Sequence, residues 1–441
     1  MCEYDSPFRR RYYGVCCTAE CTSDSPARAG NAPEPPEPAV STAPGEGHDA
    51  PRTLAGATIL QIVAALRDEP VARTALNVAQ ALLRSGARAL VAAEGGPLAE
   101  ELRSHGGEWI PLANDSISPL KLYRGARRLE RLIASERVDI VHAQSIGGAW
   151  AANMAATQIA VWLVTTLPDV PVTSGLRAYW ASALAKGDRI ITPSNYAAAP
   201  VMKRLSLPRE RITIIPRSIQ TGTYDPAAVD AGRREALRQA WRVRPDDQLV
   251  LVPGRVAPWN GQILVPEIAR LLIESGVRGF IIVMAGEHQI FRKYARFIAE
   301  QARGKGIAPF IRFSGHCPDM PAAYAAADIV LVPALEPPVL GRVVAEAQAM
   351  GRPVVAANIG ILPERIVTPP EMPEDIRTGW LAEPGDAADF ARAVTTALSL
   401  DQAAYRAMGA RARQFAEYMF SPRSIAIATR AVYSSLLARD D

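Results

Sequence analysis

Short apolar runs alternate with amphipathic stretches from residue 57 onward. In the first half of the chain, strands are predicted over 57–66, 87–94 and 138–143, and helices over 72–86, 97–106 and 120–136. The third of these helices has an apolar face made of Leu122, Ala126, Leu129 and Ile133. Strands that alternate with helices predict an α/β fold with a parallel, doubly wound sheet.

The same rhythm restarts after a loop near 216–232. Here the pattern predicts a strand and turn over 247–258, further strands over 279–287, 309–316 and 352–358, and helices over 266–276, 291–306 and after Gly341. Two Rossmann-like domains, 56–225 and 226–418, are therefore expected to face each other across a cleft. Ligands of such sheets bind beyond the carboxyl ends of the strands, so the chemistry is expected in the strand-to-helix turns.

One uncharged stretch, 149–167, is long enough to be weighed as a membrane span. Polar residues interrupt it at Asn153, Thr157, Gln158, Thr165 and Thr166. A buried helix over 148–158 that leads into a buried strand over 160–166 fits the surrounding rhythm better, and this is the prediction we adopt.

Residues 1–55 form a different kind of polypeptide. They are rich in proline and have no recurring apolar face, so a disordered tail is predicted. Of the five cysteines, Cys2, Cys16, Cys17 and Cys21 lie in this tail. Their spacing does not match paired zinc ligands, so we expect incidental thiols and no metal site.

Charge and composition narrow the class of protein. Apolar residues make up 49% and charged residues 21% of the 441 residues, which is ordinary globular usage. The net charge of +4 is too weak for a nucleic-acid binder, and without the tail it is 44 − 37 = +7. Anionic small molecules or a membrane surface fit this balance. Because Arg9, Arg10 and Arg11 are not followed by an apolar run, no secretory signal is predicted and a cytoplasmic location is expected.

Two turns in the second half are candidate anion sites. Gly341 precedes a predicted helix whose unpaired N–H groups suit a diphosphate, and Glu346, about one turn further, is placed to accept bonds from ribose hydroxyls. Gly254 and Arg255 follow a buried strand, where a guanidinium can hold a phosphate through two bonds. The alternatives are a surface glutamate beside an ordinary helix cap and an arginine paired with a neighbouring acid.

Several segments together resemble glycosyltransferase family 4, the "group 1" retaining transferases of the GT-B fold. These are VPGRVAPWNGQ, FSGHCPDMPAAYAAADIVLVPALEP, GRVVAEAQAMGRPVVAANIG and TGWLAEPGD, with DIVHAQS and GDRIITPSNYAAAPV in the first half. The resemblance covers the chain from about residue 57. It implies transfer of a sugar, with retention and without a bound metal or other cofactor, from a nucleotide-diphosphate sugar to a carbohydrate or lipid-linked acceptor.

The resemblance also implies roles for parts of the chain. The first domain would take the acceptor, the second the donor, and a last helix within 419–441 would cross back to the first. Arg255 would hold the diphosphate, Gly341 with the amides of Arg342 and Val343 would cradle it, and Glu346 would bind the ribose. His316 and Cys317 would face the base. A role in cell-envelope polysaccharide or glycolipid synthesis follows, at the inner face of the membrane.

Four departures from the family pattern qualify this prediction. The turn at 67–73 lacks the family's glycines, Pro168 replaces a histidine, Asn260 replaces the phosphate-binding lysine, and Pro338 replaces the first glutamate of a pair, with Leu340 in place of a phenylalanine. Glu336 and Asp169 are the candidate substitutes for the missing catalytic groups. Two hypotheses therefore stand: an active transferase, or a degenerate GT-B protein that serves as a binding or regulatory partner.

Two further features have a functional and a structural interpretation. His142, at the end of a predicted strand, is either an acceptor contact at the cleft edge or a histidine satisfied by its neighbours. The basic helix face formed by Lys121, Arg124, Arg127, Arg128 and Arg131 is either a contact with anionic lipid or a solvated surface.

Overall fold

A computed structural model describes residues 53–67, 70–112, 119–167, 179, 182–338, 341–370 and 372–438. Residues 1–52 of the predicted tail, with its four cysteines, lie outside the described residues. Pro168, Asp169 and Leu340 lie outside them too, so their sequence-based roles remain predictions.

The first half of the chain forms a parallel sheet of seven strands in the order β3-β2-β1-β4-β5-β6-β7. The strands are β1 Thr58–Ala65, β2 Arg88–Glu94, β3 Glu108–Pro111, β4 Ile140–Ala143, β5 Trp162–Thr166, β6 Arg189–Thr192 and β7 Ile212–Ile214. The helices between them are α1 Pro70–Leu83, α2 Leu98–Ser104, α3 Pro119–Glu136, α4 Ile146–Ala156 and α5 Asn195–Leu205. Apolar side chains pack on both faces of this sheet.

The second half forms a parallel sheet of six strands in the order β10-β9-β8-β11-β12-β13. The strands are β8 Gln248–Pro253, β9 Phe280–Ala285, β10 Ile311–Gly315, β11 Ile329–Val332, β12 Val354–Ala357 and β13 Gly379–Ala382. The helices are α6 Ala231–Ala240, α7 Val265–Glu274, α8 Arg292–Gly304, α9 Met320–Ala326, α10 Arg342–Ala349, α11 Ala387–Leu398, α12 Gln402–Phe420 and α13 Pro422–Leu437.

These two doubly wound sheets confirm the predicted α/β fold class. Every residue of β9 is buried, as expected for a central strand covered by helices on both faces. Leu122, Ala126, Leu129 and Ile133 of α3 are buried, as their spacing predicted. The stretch 149–167 contains the end of α4 and then β5, and no helix in the described part of the chain is long and apolar enough to cross a membrane.

Three strands of the first sheet were not predicted. β3 and β7 are four and three residues long and lie at the two edges of the sheet. Edge strands bury less surface, so their residues carry a weaker apolar signal. β6 begins with the partly exposed Arg189 and is also only four residues long.

The chain returns to the first sheet at its end. Helix α13 packs against α1, and its Ile425, Tyr433 and Leu436 belong to the apolar cluster on that face of the first sheet. Where the two connecting segments pass each other, Ile219 N–H donates to the Phe420 carbonyl at 2.9 Å. The two sheets are therefore joined by two connecting segments that lie side by side.

Candidate functional site

The turn after β8 presents Arg255 at the carboxyl end of the strand. Gly254 has a φ of 111°, a conformation that favours glycine, and the side chain of Arg255 is exposed. The Arg255 carbonyl accepts bonds from Asn260 Nδ2 at 2.8 Å and Gln262 Nε2 at 3.0 Å, which fix the turn. Arg255 forms no ion pair with another described residue, so its guanidinium is available to an anion.

A second turn, after β11, is locked onto this one. Both Leu335 N–H and Glu336 N–H donate to the Trp259 carbonyl, at 2.9 and 3.1 Å. Gly261 has a φ of 71°, and a Cβ there would lie 1.7 Å from the Pro333 carbonyl oxygen, so only glycine allows this approach. The exposed side chain of Glu336 thus lies in a turn that is bonded directly to the turn carrying Asn260.

Gly341 directly precedes helix α10, has a φ of 58° and supplies no side-chain cap. The neighbouring helices α9, α11 and α12 are capped by aspartates, namely Asp319, Asp386 and Asp401. The first N–H groups of a helix lack acceptors within the helix, and a helix start without a side-chain cap leaves them to a ligand. Gly341 and the amides of Arg342 and Val343 are therefore the candidate anion cradle that the sequence predicted.

Glu346, the predicted ribose contact, is buried and already has partners. Its Oε2 accepts a bond from Tyr324 Oη at 3.1 Å, and its Oε1 lies 3.1 Å from an Arg342 guanidinium nitrogen. The Tyr224 hydroxyl also interacts with this carboxylate. Burial raises the pKa of Glu346, partly opposed by the Arg342 charge and the hydrogen bonds. Each carboxylate oxygen can accept a second bond, so the group keeps capacity for a ligand hydroxyl.

The turn after β10 holds His316 and Cys317 in different environments. His316 is exposed, whereas Cys317 is buried and its Sγ donates to the Asp319 carbonyl at 3.6 Å. Burial raises the pKa of the Cys317 thiol, which keeps it protonated. Of this pair, His316 is the side chain exposed to a ligand.

Residues after β9 complete this edge of the sheet and were not predicted from the sequence. A Cβ on Gly286 would lie 1.9 Å from the Gly254 carbonyl oxygen, so the turns after β8 and β9 touch. The ring of His288 packs against Phe313, with 6.1 Å between the ring centroids. The sequence did contain a signal for these residues, because the run Gly-Glu-His directly follows a buried strand. Ligands are expected at the carboxyl ends of such strands, and this turn is one of them.

His142 lies at the end of β4 with both ring nitrogens bonded. Its Nδ1 is 2.7 Å from Tyr433 Oη, and its Nε2 is 2.7 Å from Thr166 Oγ1. The partner Tyr433 belongs to α13, so this histidine ties the last helix to the first sheet. Burial, together with the nearby Arg217 charge, lowers the pKa of His142 to about 3.

This pKa makes the stability of the protein depend on pH. The unfolded histidine binds a proton below its ordinary pKa of about 6.5, whereas the folded one stays neutral down to about 3. Stability is therefore lost as the pH falls below 6.5. We expect the wild type to lose about 2 kcal/mol more than His142→Gln between pH 6.5 and 4.5, because each pH unit below the unfolded pKa is worth at most about 1.4 kcal/mol. Urea unfolding at both pH values measures the difference, and identical losses in the two proteins would contradict it.

The structure brings together the predicted donor-side residues of the second sheet, at one edge formed by the carboxyl ends of β8, β10 and β11. His142 lies apart from them, in the first sheet. Among the residues that the structure describes, no group of three or more histidine, cysteine, aspartate or glutamate side chains could hold a metal ion. The sequence analysis missed four further residues, because each of them contacts a residue that is distant in the chain. They are Tyr224, Tyr324, Glu364 and Arg365.

Two family models match the chain. The one described as "Glycosyltransferase Family 4" matches residues 71–222, and the one described as "Glycosyl transferases group 1" matches residues 247–399. The first match covers β2 to β7 of the first sheet, and the second covers the whole of the second sheet.

Known proteins and structures agree with these matches. D-inositol 3-phosphate glycosyltransferase of Nocardia farcinica is 29% identical over 233 residues, 52% of this chain and 49% of that protein. The chain thus spans about half the length of the curated relatives it matches. A glycosyltransferase from Rickettsia africae aligns with a TM-score of 0.70 at 23% identity, over 88% of this chain and all of that one. Anabaena HepE in complex with UDP aligns with a TM-score of 0.64 at 19% identity, over 86% of this chain and all of that one.

Proposed function

Because the chain belongs to the group 1 glycosyltransferases of family 4, with the GT-B fold, we propose that it transfers a sugar from a nucleotide-diphosphate sugar to an acceptor hydroxyl with retention of configuration. The acceptor would be a carbohydrate or a lipid-linked carbohydrate in cell-envelope polysaccharide or glycolipid synthesis. The domain spanning 226–418 would bind the donor and the one spanning 56–225 the acceptor.

One observation carries this proposal: two elements suited to an anion lie at the same edge of the second sheet. Helix α10 follows Gly341 and has no side-chain cap, and the exposed Arg255 follows β8, the strand next to β11. A helix N-terminus and a guanidinium are the groups that hold a diphosphate. The bound UDP of the similarly folded HepE supports a nucleotide as the occupant.

These elements would also assist the bond changes. The bond from the anomeric carbon to the diphosphate oxygen breaks, the acceptor oxygen bonds to that carbon on the same face, and the hydroxyl proton leaves with the nucleoside diphosphate. Negative charge develops on the leaving diphosphate, where the amides of Arg342 and Val343 and the Arg255 guanidinium would stabilise it. Glu336, in the turn after β11, is the candidate carboxylate near the sugar.

A second function, a nucleotide-binding protein without turnover, also has an observation in its favour. Asn260 stands where the family has a lysine, and its Nδ2 is engaged by the Arg255 carbonyl of its own turn. One positive charge at the leaving group is missing, and Pro338 offers neither a side-chain acceptor nor an N–H. Such a protein would act as a binding or regulatory partner.

Calorimetric titration with UDP-, GDP- and ADP-sugars, followed by assays of donor hydrolysis and transfer, distinguishes these functions. We expect at least one donor to bind with a dissociation constant below about 1 mM and to be consumed when acceptor is present. Binding without consumption would favour the partner function. Failure of every donor to bind at millimolar concentration would exclude both.

Restoring the missing cation should raise turnover. In Asn260→Lys, the Arg255 carbonyl keeps its bond from Gln262, so we expect the turn to persist. An added ammonium next to the leaving diphosphate is expected to increase kcat by about tenfold to a hundredfold, a few kcal/mol of barrier at most. Initial rates with the donor that binds best measure this. Asn260→Gln, which adds length without charge, is the matched control and should not be faster than the wild type.

We further propose that α3 contacts anionic lipid, which would bring the protein to a lipid-linked acceptor. Lys121, Arg124, Arg127, Arg128 and Arg131 are all exposed along this helix. Leu120 and Tyr123 at its start are 58% and 51% exposed, so apolar and basic groups share one surface. Basic residues near an anionic membrane each contribute about 1 kcal/mol to binding.

Vesicle sedimentation tests this contact. We expect the protein to bind vesicles that contain phosphatidylglycerol and not vesicles of phosphatidylcholine alone. Arg124→Gln with Arg128→Gln should weaken binding about thirtyfold, because about 2 kcal/mol of attraction is lost. Lys293→Gln with Arg296→Gln, on the exposed face of α8, removes the same charge elsewhere and should leave binding unchanged. If the two pairs of substitutions weakened binding equally, the net charge of the protein would explain the binding, and a specific contact of α3 with lipid would be wrong.

A further inference from the structure

A carboxylate of the second sheet caps a helix of the first. Glu364 Oε2 accepts from Asn195 N–H at 2.8 Å and from Asn195 Nδ2 at 3.2 Å, and its Oε1 accepts from Tyr196 N–H at 2.8 Å. Glu364 lies in a short 3-10 turn, Leu362–Arg365, that follows β12. Asn195 and Tyr196 are the first two residues of α5.

This contact completes the cap of α5. Ser194, the residue before the helix, accepts from Ala197 N–H through its own Oγ at 3.0 Å. Ala198 N–H bonds to the Ser194 carbonyl at 3.1 Å. The other two N–H groups of the first turn donate to Glu364. All four donors of this turn therefore have an acceptor only in this relative arrangement of the two sheets. A carboxylate at a helix N-terminus is also favoured by the helix dipole.

The same 3-10 turn is fixed to the candidate anion cradle. Gln348 of α10 donates to the Arg365 carbonyl at 2.7 Å. A Cβ on Gly341 would lie 3.4 Å from Arg365 Cγ, so this buried arginine packs against the residue that begins α10. The guanidinium carbon of Arg365 lies 4.6 Å from the centre of the Phe420 ring, beside the connection between the sheets. Movement of the cradle would therefore displace Glu364.

We propose that Glu364 is a positioning residue that holds the two sheets at their working separation, and that occupation of the anion cradle strengthens its contact with α5. The proposal rests on the proposed function for the occupant of the cradle. Glu364 bonds to backbone amides of the other sheet and not to a substrate, so its effect on binding would pass through the arrangement of the sheets.

Amide hydrogen exchange in the full chain reads the contact directly. Without ligand, we expect the peptide that begins α5 to exchange about tenfold faster in Glu364→Ala than in the wild type, while peptides of β4 and β9 stay unchanged. UDP-glucose should slow exchange of this peptide in the wild type and not in the variant. Its affinity should fall about tenfold in Glu364→Ala and less in Glu364→Gln, whose amide oxygen still accepts a bond.

A variant on the other side of the contact provides the cross-check. Asn195→Pro removes the backbone N–H and the side-chain amide that bond to Glu364. The helix should tolerate the change, because proline is favoured at the first position of a helix and Ser194 already has the extended conformation required before proline. We expect it to weaken UDP-glucose binding like Glu364→Ala, and the double variant to be no weaker than either one. Glu300→Ala, an exposed carboxylate of α8, is the matched control.

The outcomes separate the two proposals. If UDP-glucose, GDP-mannose and ADP-glucose all fail to bind the wild type, the proposed function and the coupling to the cradle fall together, and exchange in the unliganded protein still shows whether Glu364 holds the sheets. If the wild type binds donor and Glu364→Ala matches it in exchange, affinity and melting temperature, the positioning role is wrong. Additive losses in the double variant would also contradict it.

Discussion

Replacing Arg255 by alanine is expected to weaken donor binding about a hundredfold. The exposed guanidinium lies at the carboxyl end of β8 and has no ion pair among the described residues, so a diphosphate would be its main partner. A two-bond contact between a guanidinium and a phosphate is worth about 3 kcal/mol, which corresponds to a factor of about 100 in the dissociation constant. Calorimetric titration of the variant with the best donor measures the loss.

Two further variants distinguish a specific contact from a general effect of charge. Arg255→Lys keeps the charge and loses the planar pair of donors, so we expect an intermediate loss of about tenfold. Arg296→Ala removes an exposed guanidinium from α8 and should bind donor as the wild type does. If Arg255→Ala bound donor within twofold of the wild type, the diphosphate would not lie at this turn.

The fold was predictable because most strands of a parallel sheet are buried on both faces. Such strands appear in the sequence as continuous apolar runs, and β8 and β9 were identified in this way. The edge strands β3 and β7 lack that signal, since β3 begins and ends with exposed residues and β7 has three residues in all. Pattern length and burial, more than residue type, decided which strands could be recognised.

The candidate site was predictable where its residues follow a strand directly. Gly254 and Arg255 follow β8, and parallel strands bring such turns to one edge of the sheet. The partners that determine how each side chain behaves come from elsewhere in the chain. Tyr224 reaches Glu346 from the segment before α6, and Tyr433 reaches His142 across 291 positions of sequence.

The contact of Glu364 with α5 shows the same limit. Local sequence signals were present on both sides: Ser194 is a typical helix cap, and a glutamate follows β12. Neither signal says that the glutamate supplies the rest of the cap, because the two segments are 168 positions apart and belong to different sheets. Tertiary packing alone brings them together.

Glu346 gives the second large expected effect, because its carboxylate has both structural partners and a predicted ligand. In Glu346→Ala, the fully buried Tyr324 hydroxyl loses its acceptor and a cavity opens in α10. We expect a loss of about 3 kcal/mol in the free energy of unfolding, from the unsatisfied hydroxyl and the missing side-chain volume together. Urea unfolding measures it, with Glu300→Ala as the control that should change stability by less than about 0.5 kcal/mol.

Glu346→Gln separates the structural role from the binding role. The amide oxygen can still accept from Tyr324, and because burial raises the pKa of Glu346, a neutral group avoids the cost of a buried charge. We therefore expect stability within about 1 kcal/mol of the wild type. Donor affinity should nevertheless fall about tenfold, since a ribose hydroxyl bonds more strongly to a carboxylate than to an amide. If Glu346→Gln is stable and binds donor as tightly as the wild type, this glutamate does not bind the ribose. It would then be a structural residue that contacts only its tyrosines beneath the cradle.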